Sequence, residues 1–177
     1  SEQCTDKKVN EVTARLFKKY KSIDDYARVD VYELERDVRE TGFYRAKARN
    51  IRASANIVCE GFDGTVPCSM DRLLTLPGVA RKTANVILGN HCGIVEGIAI
   101  DTHVKRFARK FNLTDSVDPV KIEQDFMILF PRREWFQITY RFIGYGRNIC
   151  PARKHDCSEH PLTKIYSPAA DVWPRAR

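Results

Sequence analysis

Apolar residues recur three and four apart along most of this chain, and no run alternates apolar with polar residues as a half-buried strand would. Val9, Val12, Leu16 and Tyr20 make one such stripe, and Leu34 and Val38 continue the period as far as Gly42. Ile51, Ala55 and Val58 mark a long helix whose other faces carry Lys47, Arg49 and Arg52. Asp24-Asp25 and Asp30 read as turn or cap residues, and Gly61, Asp63-Gly64 and Pro67 as a loop. Met70, Leu73 and Leu74 form a short helix. Ala80, Thr83, Ala84, Ile87 and Leu88 form the buried stripe of the next one. Val104, Phe107, Ala108 and Phe111 mark another, and 122–130 and 135–145 supply two more. The expectation is an all-α fold of two helical lobes, residues 1–93 and 94–177, divided in the glycine-bearing connector Gly89–Gly97.

Between two of these helices stands Leu76-Pro77-Gly78-Val79-Ala80. Proline fixes φ, and Gly78 admits the backbone geometry of a tight turn. Such a turn presents successive N–H groups at the start of a helix, where free donors and the helix dipole both suit a phosphate oxygen. Taken alone, the dipeptide also fits an ordinary helix–helix turn.

Its neighbours sharpen the reading. Lys82 lies about 200° around the helix from Ala80, away from the buried stripe, with Asn85 and Val86 on its side. A lysine in a first helical turn faces the positive end of the dipole, which favours the neutral, nucleophilic amine over the ammonium. Asp101 precedes an amphipathic helix and reads as its N-cap, a role worth about 1 kcal/mol. One carboxylate oxygen can cap while the other does chemistry.

Composition agrees with a polyanionic partner. The chain has 30 Lys+Arg against 23 Asp+Glu, a formal charge of +7, and neutralising phosphates releases condensed counterions. No apolar run is long enough to span a bilayer, and the first residues do not read as a signal peptide. The spacing of Cys4, Cys59, Cys68 and Cys92 spells no disulfide framework, which favours an intracellular protein.

These residues carry a family resemblance. Ser1-x-Gln3-x-Thr5-Asp6, Thr41-Gly42-Phe43-Tyr44-x-x-Lys47-Ala48, Leu76-Pro77-Gly78-Val79-x-Arg81-Lys82-Thr83-Ala84-Asn85 and Asp101-Thr102-His103 resemble the endonuclease III branch of the helix-hairpin-helix (HhH-GPD) DNA glycosylases. The resemblance covers nearly the whole length, and its third block is highly specific. It implies a base excision repair glycosylase with AP lyase activity that removes oxidised pyrimidines from duplex DNA. The damaged nucleotide would be flipped between the lobes, Lys82 would be the nucleophile and Asp101 the essential carboxylate. It implies DNA contacts from Gln3, Phe43, Pro77, Gly78, Val79, Ala80, Arg81, Thr83, Arg153 and Lys154. Gln3 and Asp6 would line the substrate pocket. The carbonyls of Leu74, Leu76 and Val79 would hold a monovalent cation. A monomer associated with DNA inside the cell, without membrane attachment, is expected.

Alternatives of the same fold are a monofunctional mismatch glycosylase, which generally carries another residue at the position of Lys82, and a non-catalytic DNA-binding module. The family pattern also begins before Ser1, with a segment that completes the second lobe; either the chain is a fragment or the tail 167–177 replaces that segment, and Ala80 replaces a glycine common in the hairpin. Many family members end in four cysteines, C-x6-C-x2-C-x5-C, that hold a [4Fe–4S] cluster. Here Cys150 and Cys157 keep the first gap, while His160 and Tyr166 stand at the last two positions. The expectation is therefore no cofactor and no iron–sulfur cluster. A zinc site from Cys150, His155, Cys157 and His160 is conceivable by ligand type, but its spacing is unlike common zinc modules.

Overall fold

The computed structural model describes residues 4–173, which are helical throughout with no strand among them. The chain separates into two units, residues 1–80 and 81–177. That division falls at Ala80/Arg81, ahead of the connector suggested by the glycines, and the helix carrying Lys82 therefore opens the second unit.

In the first unit, α1 (Asp6–Lys19) starts at Thr5, whose Oγ1 accepts from the Lys8 N–H. α2 (Ile23–Arg28) starts in a capping box between Ser22 and Asp25. α3 (Val31–Val38) starts at Asp30, whose Oδ1 accepts from the N–H groups of Tyr32 and Glu33. α4 (Tyr44–Gly61) is the long basic helix, and α5 (Met70–Leu74) leads into the Pro77-Gly78 turn. Val12, Leu16, Tyr20, Leu34, Val38 and Ala48 form the core. Burying each large aliphatic side chain contributes about 1.5–3 kcal/mol.

Beside that core, Asp37 Oδ2 accepts from Lys19 Nζ at 2.6 Å and from the Tyr20 hydroxyl at 2.7 Å. Burial alone would raise the Asp37 pKa, but the Lys19 ammonium and the Tyr20 hydroxyl outweigh it and hold the carboxyl below its ordinary range. Burial, followed by the bond to Asp37, pushes the Tyr20 phenol up to about 12. A carboxyl depressed in the folded state stabilises fully above its unfolded pKa of about 3.9, and that stability is lost as pH falls through the folded value. Asp37→Asn is therefore expected to lower the melting temperature at neutral pH, with the gap to the parent closing in acid. A melting series from pH 7 to pH 2 checks this, and a gap that persists at the acid end refutes it.

The second unit holds α6 (Arg81–Ile87), continued by a π-helical turn Leu88–Cys92, then α7 (Thr102–Lys110), α8 (Pro119–Leu129), α9 (Trp135–Asn148) and α10 (Pro161–Ile165). Asp118 caps α8 and Pro119 opens it, so this helix begins before the apolar period that announces it. The aromatic core is built on Phe107, which stacks on Phe142 at 5.6 Å and meets Tyr145 edge-on at 5.2 Å. Cys150 and Cys157 belong to the same core and are free thiols. No helix among the described residues is long and apolar enough to cross a membrane.

Candidate active site

The turn after α5 is closed by a hydrogen bond from the Val79 N–H to the Leu76 carbonyl at 3.0 Å, and Ser54 Oγ donates to the Pro77 carbonyl at 2.9 Å. Gly78 has φ +81, and a Cβ there would come within 2.8 Å of Asn50 Nδ2. Both the left-handed backbone and the close approach of α4 require glycine. Ala80 lies exposed ahead of α6, outside the buried stripe to which the sequence assigns it.

α6 and the π-helical turn that continues it present Ala84 and Leu88 to the interior, while Lys82, the second residue of α6, is exposed. Lys82, Asn85 and Val86 share a face, as the period predicts, and that face lines a cavity of about 170 Å³. Asp101 lines the same cavity. It is also the N-cap of α7, its Oδ1 accepting from the Val104 N–H at 2.8 Å. The cap fixes the carboxylate in place and leaves Oδ2 outside the cap bond. The sequence division had put Lys82 and Asp101 in different lobes; the structure brings both into the second unit, on one wall system.

Trp135, Phe136 and Tyr140 from α9 supply the aromatic wall, and Thr139 is held by donation from its hydroxyl to the Ala99 carbonyl. An amine and a carboxylate beside planar apolar walls suit a flat, polar-edged ligand whose leaving group departs as an anion. None of these α9 residues was singled out from sequence. Their one legible signal was the aromatic density of Trp135–Tyr140.

Sequence reasoning also missed Glu123. This carboxylate is 2% exposed and accepts from Arg81 Nε at 2.8 Å and Nη2 at 2.9 Å. Asn85 Nδ2 donates to its Oε1 at 2.8 Å. Any Cβ at Gly97 would run into that oxygen. Arg81, expected on DNA, thus has its side chain committed to Glu123; its backbone N–H remains at the start of α6.

The other expected site residues fall as follows. Phe43 is 63% exposed with φ +47, directly before α4, so it is not a core aromatic. Thr83 is half-buried on α6. Arg153 and Lys154 are exposed in the loop between α9 and α10. Asp6 is the exposed first residue of α1, and Gln3 lies outside the described residues. Leu76 is buried and Leu74 exposed at the hairpin, where the Leu76 carbonyl already accepts one bond from Val79.

The expectation of no cofactor requires correction. Cys150, Cys157 and His160 each bring one ligand atom to within 4.8 Å of the others, a group able to hold a metal ion. Helix α9 ends at Asn148 and α10 starts after His160, so the intervening loop folds the three donors together, which linear spacing hides. Endonuclease III relatives typically carry a [4Fe–4S] cluster. Two thiols and one imidazole do not supply the four thiolates of that arrangement.

A family model for HhH-GPD superfamily base excision DNA repair proteins matches residues 1–132. Endonuclease III of Synechocystis sp. is 46% identical over 165 residues, covering 93% of this chain and 75% of the relative. The chain is also similar to the protein in a solved non-covalent endonuclease III–DNA complex, with TM-score 0.87 and 41% identity over 93% of this chain and 77% of the other. A trapped endonuclease III–DNA covalent intermediate matches with TM-score 0.86 and 41% identity, over 92% and 76% of the two chains.

Proposed function

The chain belongs to the HhH-GPD superfamily of base excision DNA repair proteins, in its endonuclease III branch, and on that premise we propose that Lys82 and Asp101 carry its chemistry. The protein is a DNA glycosylase with AP lyase activity that acts on damaged bases in duplex DNA. The single observation that supports the residue assignment is the shared cavity lined by Lys82 and Asp101, with an aromatic wall from α9.

In this reading the Lys82 amine attacks C1′ of the damaged nucleotide. The bond from C1′ to the base breaks, and the base leaves with the electron pair and takes up a proton. Ring opening gives a Schiff base between Lys82 Nζ and C1′. Loss of a C2′ proton then expels the 3′ phosphate by β-elimination, nicking the strand, and water releases Lys82. Asp101 stabilises positive charge developing on the sugar and receives the lysine proton, an electrostatic effect stronger in the transition state than in the bound substrate.

Asn85, fixed by Glu123, holds the Lys82 face of α6 in register. Pro77 and Val79 shape the hairpin, the N–H groups of Gly78, Ala80, Arg81 and Thr83 suit a phosphate, and Arg153 and Lys154 add positive charge. Phe43, exposed and unpacked, suits the gap left by a flipped nucleotide, with Gln3. Asp6 with Gln3 at the substrate, a monovalent cation on the Leu74, Leu76 and Val79 carbonyls, a monomeric state and a DNA-associated location inside the cell complete the proposal. An oxidised pyrimidine is the substrate class.

Lys82 speaks against a monofunctional mismatch glycosylase, and the Lys82–Asp101 pair against a purely DNA-binding module. Borohydride trapping on duplex DNA containing thymine glycol separates the three. A covalent adduct with the parent protein is the expected result. Base release without adduct would move the assignment to a monofunctional enzyme, and binding alone to a DNA-binding module.

A further inference from the structure

Cys150 and Cys157 are 0% and 2% exposed, and each faces His160 in the group whose donor atoms lie within 4.8 Å of one another. Two imidazole nitrogens here are buried without a hydrogen-bond partner, His160 Nδ1 and His155 Nε2. The two rings are 5.1 Å apart. His155 Nδ1 is 2.7 Å from the Arg153 carbonyl oxygen. A carbonyl can only accept, so Nδ1 carries the ring proton and Nε2 keeps its lone pair. An imidazole whose far nitrogen is anchored on a carbonyl is the arrangement that metal-bound histidines show.

We propose that Cys150, Cys157 and His160, with His155 as fourth ligand, bind a single divalent cation of the zinc class. The donors are soft thiolates and borderline imidazoles, which select zinc over magnesium or calcium. Tetrahedral zinc–sulfur bonds of about 2.3 Å place two ligating sulfurs about 3.8 Å apart, so Cys150, Cys157 and His160 need to close by only about an ångström, while His155, whose ring lies 5.1 Å from that of His160, swings its Nε2 in to complete the set. Two thiolates and one divalent cation make a neutral centre, compatible with the core in which both cysteines sit. Arg106 supplies an outer contact, Nη2 donating to the Cys150 carbonyl at 2.8 Å while Nη1 lies 3.9 Å from its sulfur. The ion ties the end of α9 to the start of α10 and closes both ends of the loop that carries Arg153 and Lys154. This site stands independently of the assignment of Lys82 and Asp101.

The test is metal and acid-labile sulfide analysis of the full chain, expressed with both iron and zinc available and purified without oxygen. The expected result is one zinc per chain and no stoichiometric sulfide. Cobalt-substituted protein should show strong thiolate-to-cobalt charge-transfer absorption and tetrahedral ligand-field bands. Cys157→Ser and His160→Ala should lose the zinc, and His155→Ala should weaken binding at least about tenfold. Iron with sulfide, a metal-free protein, zinc retained in both Cys157→Ser and His160→Ala, or unchanged affinity in His155→Ala each overturns the site as drawn. Should the variants not fold, a sulfur-free octahedral cobalt spectrum in the parent overturns it on its own.

Discussion

Lys82→Ala is expected to keep its affinity for lesion-containing duplex, to form no borohydride-trapped adduct, and to nick DNA at least about 10³-fold more slowly than the parent. The fold has no reason to suffer. Lys82 is exposed, and its cation sits in the first turn of α6, against the dipole. Replacing it by the best helix former removes an unfavourable interaction of about 0.3–1 kcal/mol. Melting temperature should therefore hold or rise while the chemistry disappears. Asp101→Asn is the companion measurement. Asparagine caps a helix as well as aspartate does, so α7 should remain intact while the negative charge at the cavity is lost. A Lys82→Ala protein that still forms the adduct would place the nucleophile elsewhere.

The largest effect on stability is expected from Arg81→Ala. Its guanidinium grips Glu123 with two bonds, and the Glu123 side chain is 3% exposed while that of Arg81 is 37% exposed. Removing the arginine strands a buried carboxylate with only the Asn85 amide against it. Breaking a buried pair from this side costs about 3–5 kcal/mol, on the order of 10 °C in melting temperature for a chain of this size. Glu123→Gln should cost less, because the arginine it releases can reach water. Thermal melts of the two single variants and of Arg81→Ala/Glu123→Gln check the argument. The double variant should recover part of the Arg81→Ala loss; a double variant no better than Arg81→Ala would show that the arginine stabilises by packing instead.

What was legible in the sequence was what local chemistry decides. The period of α6 put Lys82, Asn85 and Val86 on one side, and they line one cavity. Asp101 and Asp30 stand as the caps that short polar residues before apolar stripes announce. Phe107 and its neighbours are buried as their spacing requires. What was illegible depends on partners distant along the chain. Glu123 looks like any surface acid on α8 until Arg81, 42 residues earlier, is set against it. Gly97 reads as a connector glycine until the carboxylate behind it shows why no side chain fits. Cys150, Cys157 and His160 fall short of the four-cysteine pattern in sequence, and only the fold of the loop brings these donors together.

Phe43 keeps a left-handed backbone, φ +47, with most of its ring in water. For a bulky residue that conformation costs of order 1–3 kcal/mol, and exposure of the ring returns nothing to folding. A chain shaped by thermal robustness alone would carry glycine or asparagine at this corner. With Phe43 in the role proposed for it at the flipped nucleotide, position 43 is where durability and repair pull in opposite directions, and where a search for heat-tolerant variants would first sacrifice activity.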